Sequence, residues 1–158
     1  RRELHDHVDP CPHCIDPAGW AYSSRLLPVG LNDRAGFAAG DELIRSVGRA
    51  LQHTATGATR VGHIGGDDFL FLAEPDGLDP LAEAMLDTPW SADGCAVTLS
   101  LATVVCAPGS ITDHRQAAAC LAPLKKAAKA LGGASWVLGR AGMPGHEIRR
   151  GAGAVAAG

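Results

Sequence analysis

Two strand-like runs, Thr59-Arg60-Val61-Gly62-His63-Ile64 and Phe69-Leu70-Phe71-Leu72, are separated by only four residues, Gly65-Gly66-Asp67-Asp68. Apolar runs joined by so short a Gly/Asp stretch read as a β-hairpin. The hairpin places two antiparallel strands near the middle of the chain, and the other elements have to be arranged around them.

Residues 22–31 are apolar enough for a strand that Pro28 and Gly30 end or bend, and Asn32-Asp33 then signals a turn. Leu43, Ile44, Val47 and Leu51 share one helical face, which predicts a helix over 38–53. Asp79-Pro80 suits the start of a short helix over 78–86. The Val, Thr and Leu content of 96–105 predicts a strand. A long helix over 113–131 carries Leu121, Leu124, Ala128 and Leu131 on one side. Pro123 is expected to kink or split it, and Gly132-Gly133 to end it. Lys125, Lys126 and Lys129 sit late in that helix, toward the negative end of its dipole. A last strand is expected at 135–138. Residues 1–20 read as irregular, 21–139 as one domain, and 140–158 as a disordered Gly/Ala-rich tail. This order predicts an α/β (α+β) layer with a central, mostly antiparallel sheet flanked by helices. It is close to a ferredoxin-like or nucleotidyl-cyclase palm arrangement.

At 158 residues the chain is one ordinary domain, long enough to bury a core without staples. A formal net charge of -3 argues against a nucleic-acid binder, which would carry a basic stripe. Aromatic residues make up 4%, too few for a base-stacking platform. No apolar run approaches the ~20 residues of a membrane span, and no apolar stretch follows the charged N-terminus. Five cysteines, an odd number, point away from a disulfide framework and toward a cytoplasmic setting.

A tip of sequence Gly-Gly-Asp-Asp has a chemistry of its own. The glycines allow a tight turn and close approach to a bulky ligand. Adjacent carboxylates are hard oxygen ligands suited to Mg²⁺ or Mn²⁺, which would orient a triphosphate and stabilise its charge. The bland alternative is a solvated turn, since Gly and Asp are ordinary turn residues.

Upstream residues add to this. The segment Asn32-Asp33-Arg34-Ala35-Gly36-Phe37-Ala38-Ala39-Gly40-Asp41-Glu42-Leu43, followed by Val61-Gly62-His63-Ile64-Gly65-Gly66-Asp67-Asp68-Phe69, resembles the paired motifs of the bacterial GGDEF (diguanylate cyclase) family. Val97-Thr98-Leu99-Ser100-Leu101-Ala102 is similar to a later family strand, and Leu124-Lys125-Lys126-Ala127-Ala128-Lys129 to the last family helix. The resemblance implies that Asn32 and Asp41 read the guanine edge of GTP, an amide and a carboxylate being suited to it. It implies catalytic roles for Asp67 and Asp68, with Asp67 as the Mg²⁺ (or Mn²⁺) ligand. It implies that Gly65 and Gly66 lie against the nucleotide and that Lys129 meets phosphate. Two copies of such a domain face each other, and each GTP 3′-hydroxyl attacks the other's α-phosphate to give cyclic di-GMP. GTP and a second copy of the domain are thus the implied partners.

The sequence also departs from the family. Ser24 stands at the position of a metal-binding aspartate, Val29 at that of a lysine and Gly133 at that of an arginine. Thr56 and Thr59 replace the family's inhibitory Arg-x-x-Asp. The reading therefore stays open between a weakened cyclase and a degenerate module that binds GTP or dimerises. A third reading is a zinc-stabilised interaction domain, because Cys11 and Cys14 with His5 and His7 supply four ligands suited to Zn²⁺. His63 is expected to pack beside the hairpin, and Cys95, Cys106 and Cys120 to be buried.

Overall fold

The computed structural model describes residues 19–23, 31–57, 59–107 and 109–151, with 19–23 and 31–35 described through the backbone. Strand β1 (Gly19–Ser23) precedes helix α1 (Leu31–Thr54). The hairpin follows as β2 (Arg60–Gly65) and β3 (Asp68–Ala73), then helix α2 (Pro75–Asp87). Two short strands, β4 (Trp90–Ala92) and β5 (Cys95–Val97), lead to β6 (Ser100–Val105). Helix α3 (His114–Leu131), β7 (Ser135–Arg140) and β8 (Glu147–Arg150) complete the described chain.

Six strands form one sheet in the order β2-β3-β1-β6-β7-β8, while β4 and β5 pair separately. Strand β1 runs antiparallel to both β3 and β6, and only β6 with β7 is parallel among the described pairs. The run β2-β3-β1-β6, with α1 and α2 as its crossovers, is the ferredoxin-like arrangement expected from the element order. The parallel β6–β7 pair requires a crossover, which α3 provides.

The two faces of the sheet follow from alternation along its strands. Phe69, Phe71 and Ala73 of β3 share a core with Leu43, Val47 and Leu51 of α1 and with Leu78, Leu81 and Met85 of α2. Leu70 and Leu72 point the other way, into a core of Ala102, Val104, Val137 and the α3 residues Ala117, Leu121, Leu124 and Ala128. Helices α1 and α2 thus cover one face and α3 the other. Thr103 is fully buried, and its Oγ1 accepts a hydrogen bond from Trp136 Nε1 at 2.9 Å, so neither polar group is left unsatisfied in the core.

Several boundaries differ from expectation. The first strand lies at Gly19–Ser23 rather than 22–31, so ordered pairing starts inside the segment read as irregular, and Leu31 already opens α1. Helix α1 begins seven residues early, across a break at Gly36 (φ 77°, ψ 163°). Helix α2 begins at Pro75, not at Asp79-Pro80, because Pro75 itself takes the first helical position. The strand expected over 96–105 is divided into β5 and β6. Helix α3 runs unsplit through Pro123. Its stripe of Leu121, Leu124 and Ala128 is anchored on the sheet at either side of the proline. The tail expected beyond residue 140 contains β8, which pairs with β7 at the sheet edge. Four charged and apolar residues after a Gly-rich stretch carried too little period-2 pattern to announce a strand.

Candidate functional site

The hairpin closes more tightly than its four-residue joint suggests. Gly65 pairs with Asp68, leaving Gly66 and Asp67 as the two central residues. Gly66 has φ +58° and Gly65 φ +135°, conformations that cost an L side chain strain. Glycine at the first central position with an ordinary φ at the second matches the turn type that continues the right-handed twist of the strands. The tip is also clamped. His63 stacks on its cross-strand partner Phe69 with ring centroids 4.7 Å apart, and its Nε2 lies 2.9 Å from the carbonyl oxygen of Gly66. A carbonyl can only accept, so Nε2 carries the proton there. Packing was expected of His63; its bond to the turn was not.

The two aspartates have different surroundings. Asp67 sits half-buried in the turn itself. Asp68 opens β3 on the face shared with Leu70 and Leu72, which looks toward α3. There its Oδ2 accepts a hydrogen bond from Lys125 Nζ at 2.8 Å, within an ion pair whose side chains are 25% and 22% exposed. The sequence singled out Lys129 instead, which lies exposed in the last turn of α3. The signal for Lys125 was present in the helical spacing: it follows Leu121 by four residues and so leans toward the sheet.

A groove of about 230 Å³ runs between α1 and the hairpin strands, lined among others by Ile44, Arg45, Gly48, Val61, His63 and Phe69. Gly48 sets its depth: a Cβ there would stand 3.2 Å from Phe69 Cε1. Asp41 is exposed on α1, and Ile44, Arg45 and Gly48 follow it at helical spacing, so the stripe that carries Asp41 continues into the groove. Glu42 meets Arg49 at 2.6 Å and Arg45 at 3.7 Å. The Arg49 hydrogen bond, then its charge, hold the Glu42 carboxyl below its ordinary range. Asn32 lies in the first turn of α1, ahead of the Gly36 break. Ser24 and the four residues considered for zinc, His5, His7, Cys11 and Cys14, lie outside the described residues. Cys106 is buried as expected, whereas Cys95 and Cys120 are only partly so. A larger cavity of about 520 Å³ lies on the α3 side, against residues 142–146, and holds none of the hairpin residues.

Among the described residues no group of three or more His, Cys, Asp and Glu gathers to hold a metal ion. With Asp68 engaged by Lys125, the donor chemistry of the turn comes down to the Asp67 carboxylate. One carboxylate plus substrate phosphates is a ligand set Mg²⁺ accepts. The residues therefore fit a divalent cation delivered on a triphosphate rather than one caged by protein.

No protein-family model and no curated protein matches the chain. Solved structures do match. An EAL/GGDEF domain protein from M. capsulatus is 17% identical with a TM-score of 0.63, over 84% of this chain and 87% of that one. The GGDEF domain of YfiN (TpbB) from Pseudomonas aeruginosa is 24% identical, TM-score 0.58, over 80% and 84%. The GGDEF domain of DgcB from Caulobacter crescentus, solved in complex with c-di-GMP, is 19% identical, TM-score 0.61, over 76% of each chain. The likeness is one of fold: this chain has the GGDEF-domain fold, with a sequence far from those of its structural neighbours.

Proposed function

We propose that this GGDEF-fold chain is a nucleotide-binding signalling module that holds GTP with Mg²⁺ at its hairpin and converts it to cyclic di-GMP far more slowly than a competent cyclase. The observation that supports the reading is the turn itself: two glycines with positive φ present a half-buried Asp67 at the tip of a hairpin whose strands line a groove against α1. Gly65 and Gly66 admit the phosphates close to the backbone. Asp67 holds the cation, which when bound neutralises phosphate charge. Asp41, with Asn32 at the start of α1, reads the guanine edge, and Lys129 meets phosphate. Slow turnover follows from the donor set, since a clamp on both attacking and leaving oxygens needs more carboxylate than Asp67 provides. A second copy of the domain is the partner through which occupancy is passed on.

The test joins calorimetry to product analysis. Purified protein titrated with GTP in MgCl₂ is expected to bind saturably and to form cyclic di-GMP at only a small fraction of a competent cyclase's rate. Product formation at a competent cyclase's rate would overturn the slow-turnover half of the reading, and absence of GTP binding would overturn the whole of it.

A further inference from the structure

Asp67 and Asp68 are neighbours in sequence but not in environment. Strand alternation turns Asp68 toward α3, where Lys125 Nζ sits 2.8 Å from Oδ2 and about three-quarters of each side chain is shielded from water. We propose that Lys125 is a positioning residue that holds Asp68 as an internal ion pair and keeps it out of divalent-cation ligation, so that the hairpin presents one carboxylate ligand where its sequence offers two. The inference rests on the reading of the turn as a metal–nucleotide site and deepens it.

An ammonium and a divalent cation compete for the Asp68 carboxylate, whose Oδ2 is held by Lys125 and whose Oδ1 is buried away from solvent, where a hydrated cation would have to displace packing to reach it. Shielding from water strengthens the existing pair relative to a surface one. A metal taking Asp68 would also strand the Lys125 ammonium, mostly desolvated, without its counter-charge. The cation therefore takes Asp67 and leaves Asp68 where α3 holds it. Lys125 acts on the site through Asp68, from a helix on the opposite face of the sheet to α1.

Free Mn²⁺ measured by electron paramagnetic resonance, in the full chain with and without GTP, tests this. Asp67→Asn is expected to weaken Mn²⁺ binding about tenfold or more. Asp68→Asn, which keeps an oxygen for Lys125, is expected to leave it unchanged. Lys125→Met is expected to tighten it about tenfold by releasing Asp68, and Lys125→Arg to restore the wild-type value. A purely structural role for Lys125 would not tighten metal binding. The inference is overturned if Asp68→Asn weakens Mn²⁺ binding as Asp67→Asn does, or if folded Lys125→Met leaves the affinity unmoved. If Lys125→Met does not fold, the Asp68→Asn comparison decides. If the wild type binds no GTP, the functional reading falls, while the GTP-free comparison of Lys125→Met with wild type still decides the role of Lys125.

Discussion

Gly66 is favoured at the tip because its φ of +58° is left-handed. Gly66→Ala is expected to cost about 1–2 kcal/mol, read from the shift in a urea unfolding midpoint at unchanged m. His63→Ala removes both the stack on Phe69 and the bond to the Gly66 carbonyl. It should raise amide exchange at Gly66 and Asp67 more than in α3, as measured by hydrogen exchange. The Gly-Gly-Asp-Asp tip was legible in sequence because turn chemistry is local. The Lys125–Asp68 pair was not, because it joins residues 57 apart in sequence and depends on how α3 docks. Lys129, chosen by resemblance, and Lys125, found at the hairpin, are one helical turn apart, a distinction that only packing makes.

Helix α3 shows what a single cap contributes at the next scale. Asp113 precedes it, and its Oδ1 accepts from the amides of Arg115 at 2.7 Å and Gln116 at 2.9 Å. The Gln116 hydrogen bond, above all, outweighs desolvation and lowers the carboxyl below its ordinary value of 3.8. A depressed folded pKa means the cap's ionised contribution is complete above 3.8 and fades as pH falls through the lower folded value. Asp113→Ala is expected to lower the thermal midpoint at neutral pH, with the gap to wild type narrowing as pH falls below 3.8 and through the lower folded value. A gap independent of pH would contradict the ionised cap. Other elements were hidden for particular reasons. Strand β4 was missed although Asp93-Gly94, with φ +48° and +73°, marks the hairpin joining it to β5, because three-residue strands give no period to read. Pro123 suggested a break in α3 that burial of Leu121, Leu124 and Ala128 overrides.

Across the whole molecule, the ferredoxin-like run was readable from the alternation of apolar strands and amphipathic helices. Its extension by α3, β7 and β8 was readable only in part. Both faces of the sheet are covered, which is why Leu70 and Leu72 are apolar as well as Phe69 and Phe71. This three-layer build brings α1 and α3 to opposite sides of one hairpin. The groove then lies on the α1 side and the Asp68 ion pair on the α3 side. The central claim, that the nucleotide sits at the turn between them, is tested most directly by titrating the ¹⁵N-labelled domain with GTP and Mg²⁺ and following its amide resonances. Saturable shifts at Gly65, Gly66 and Asp67 and along the Asp41 face of α1 are predicted, with weaker shifts for ATP. Resonances of the hairpin that stay in place while GTP saturates, or shifts confined to the cavity beside residues 142–146, would contradict it.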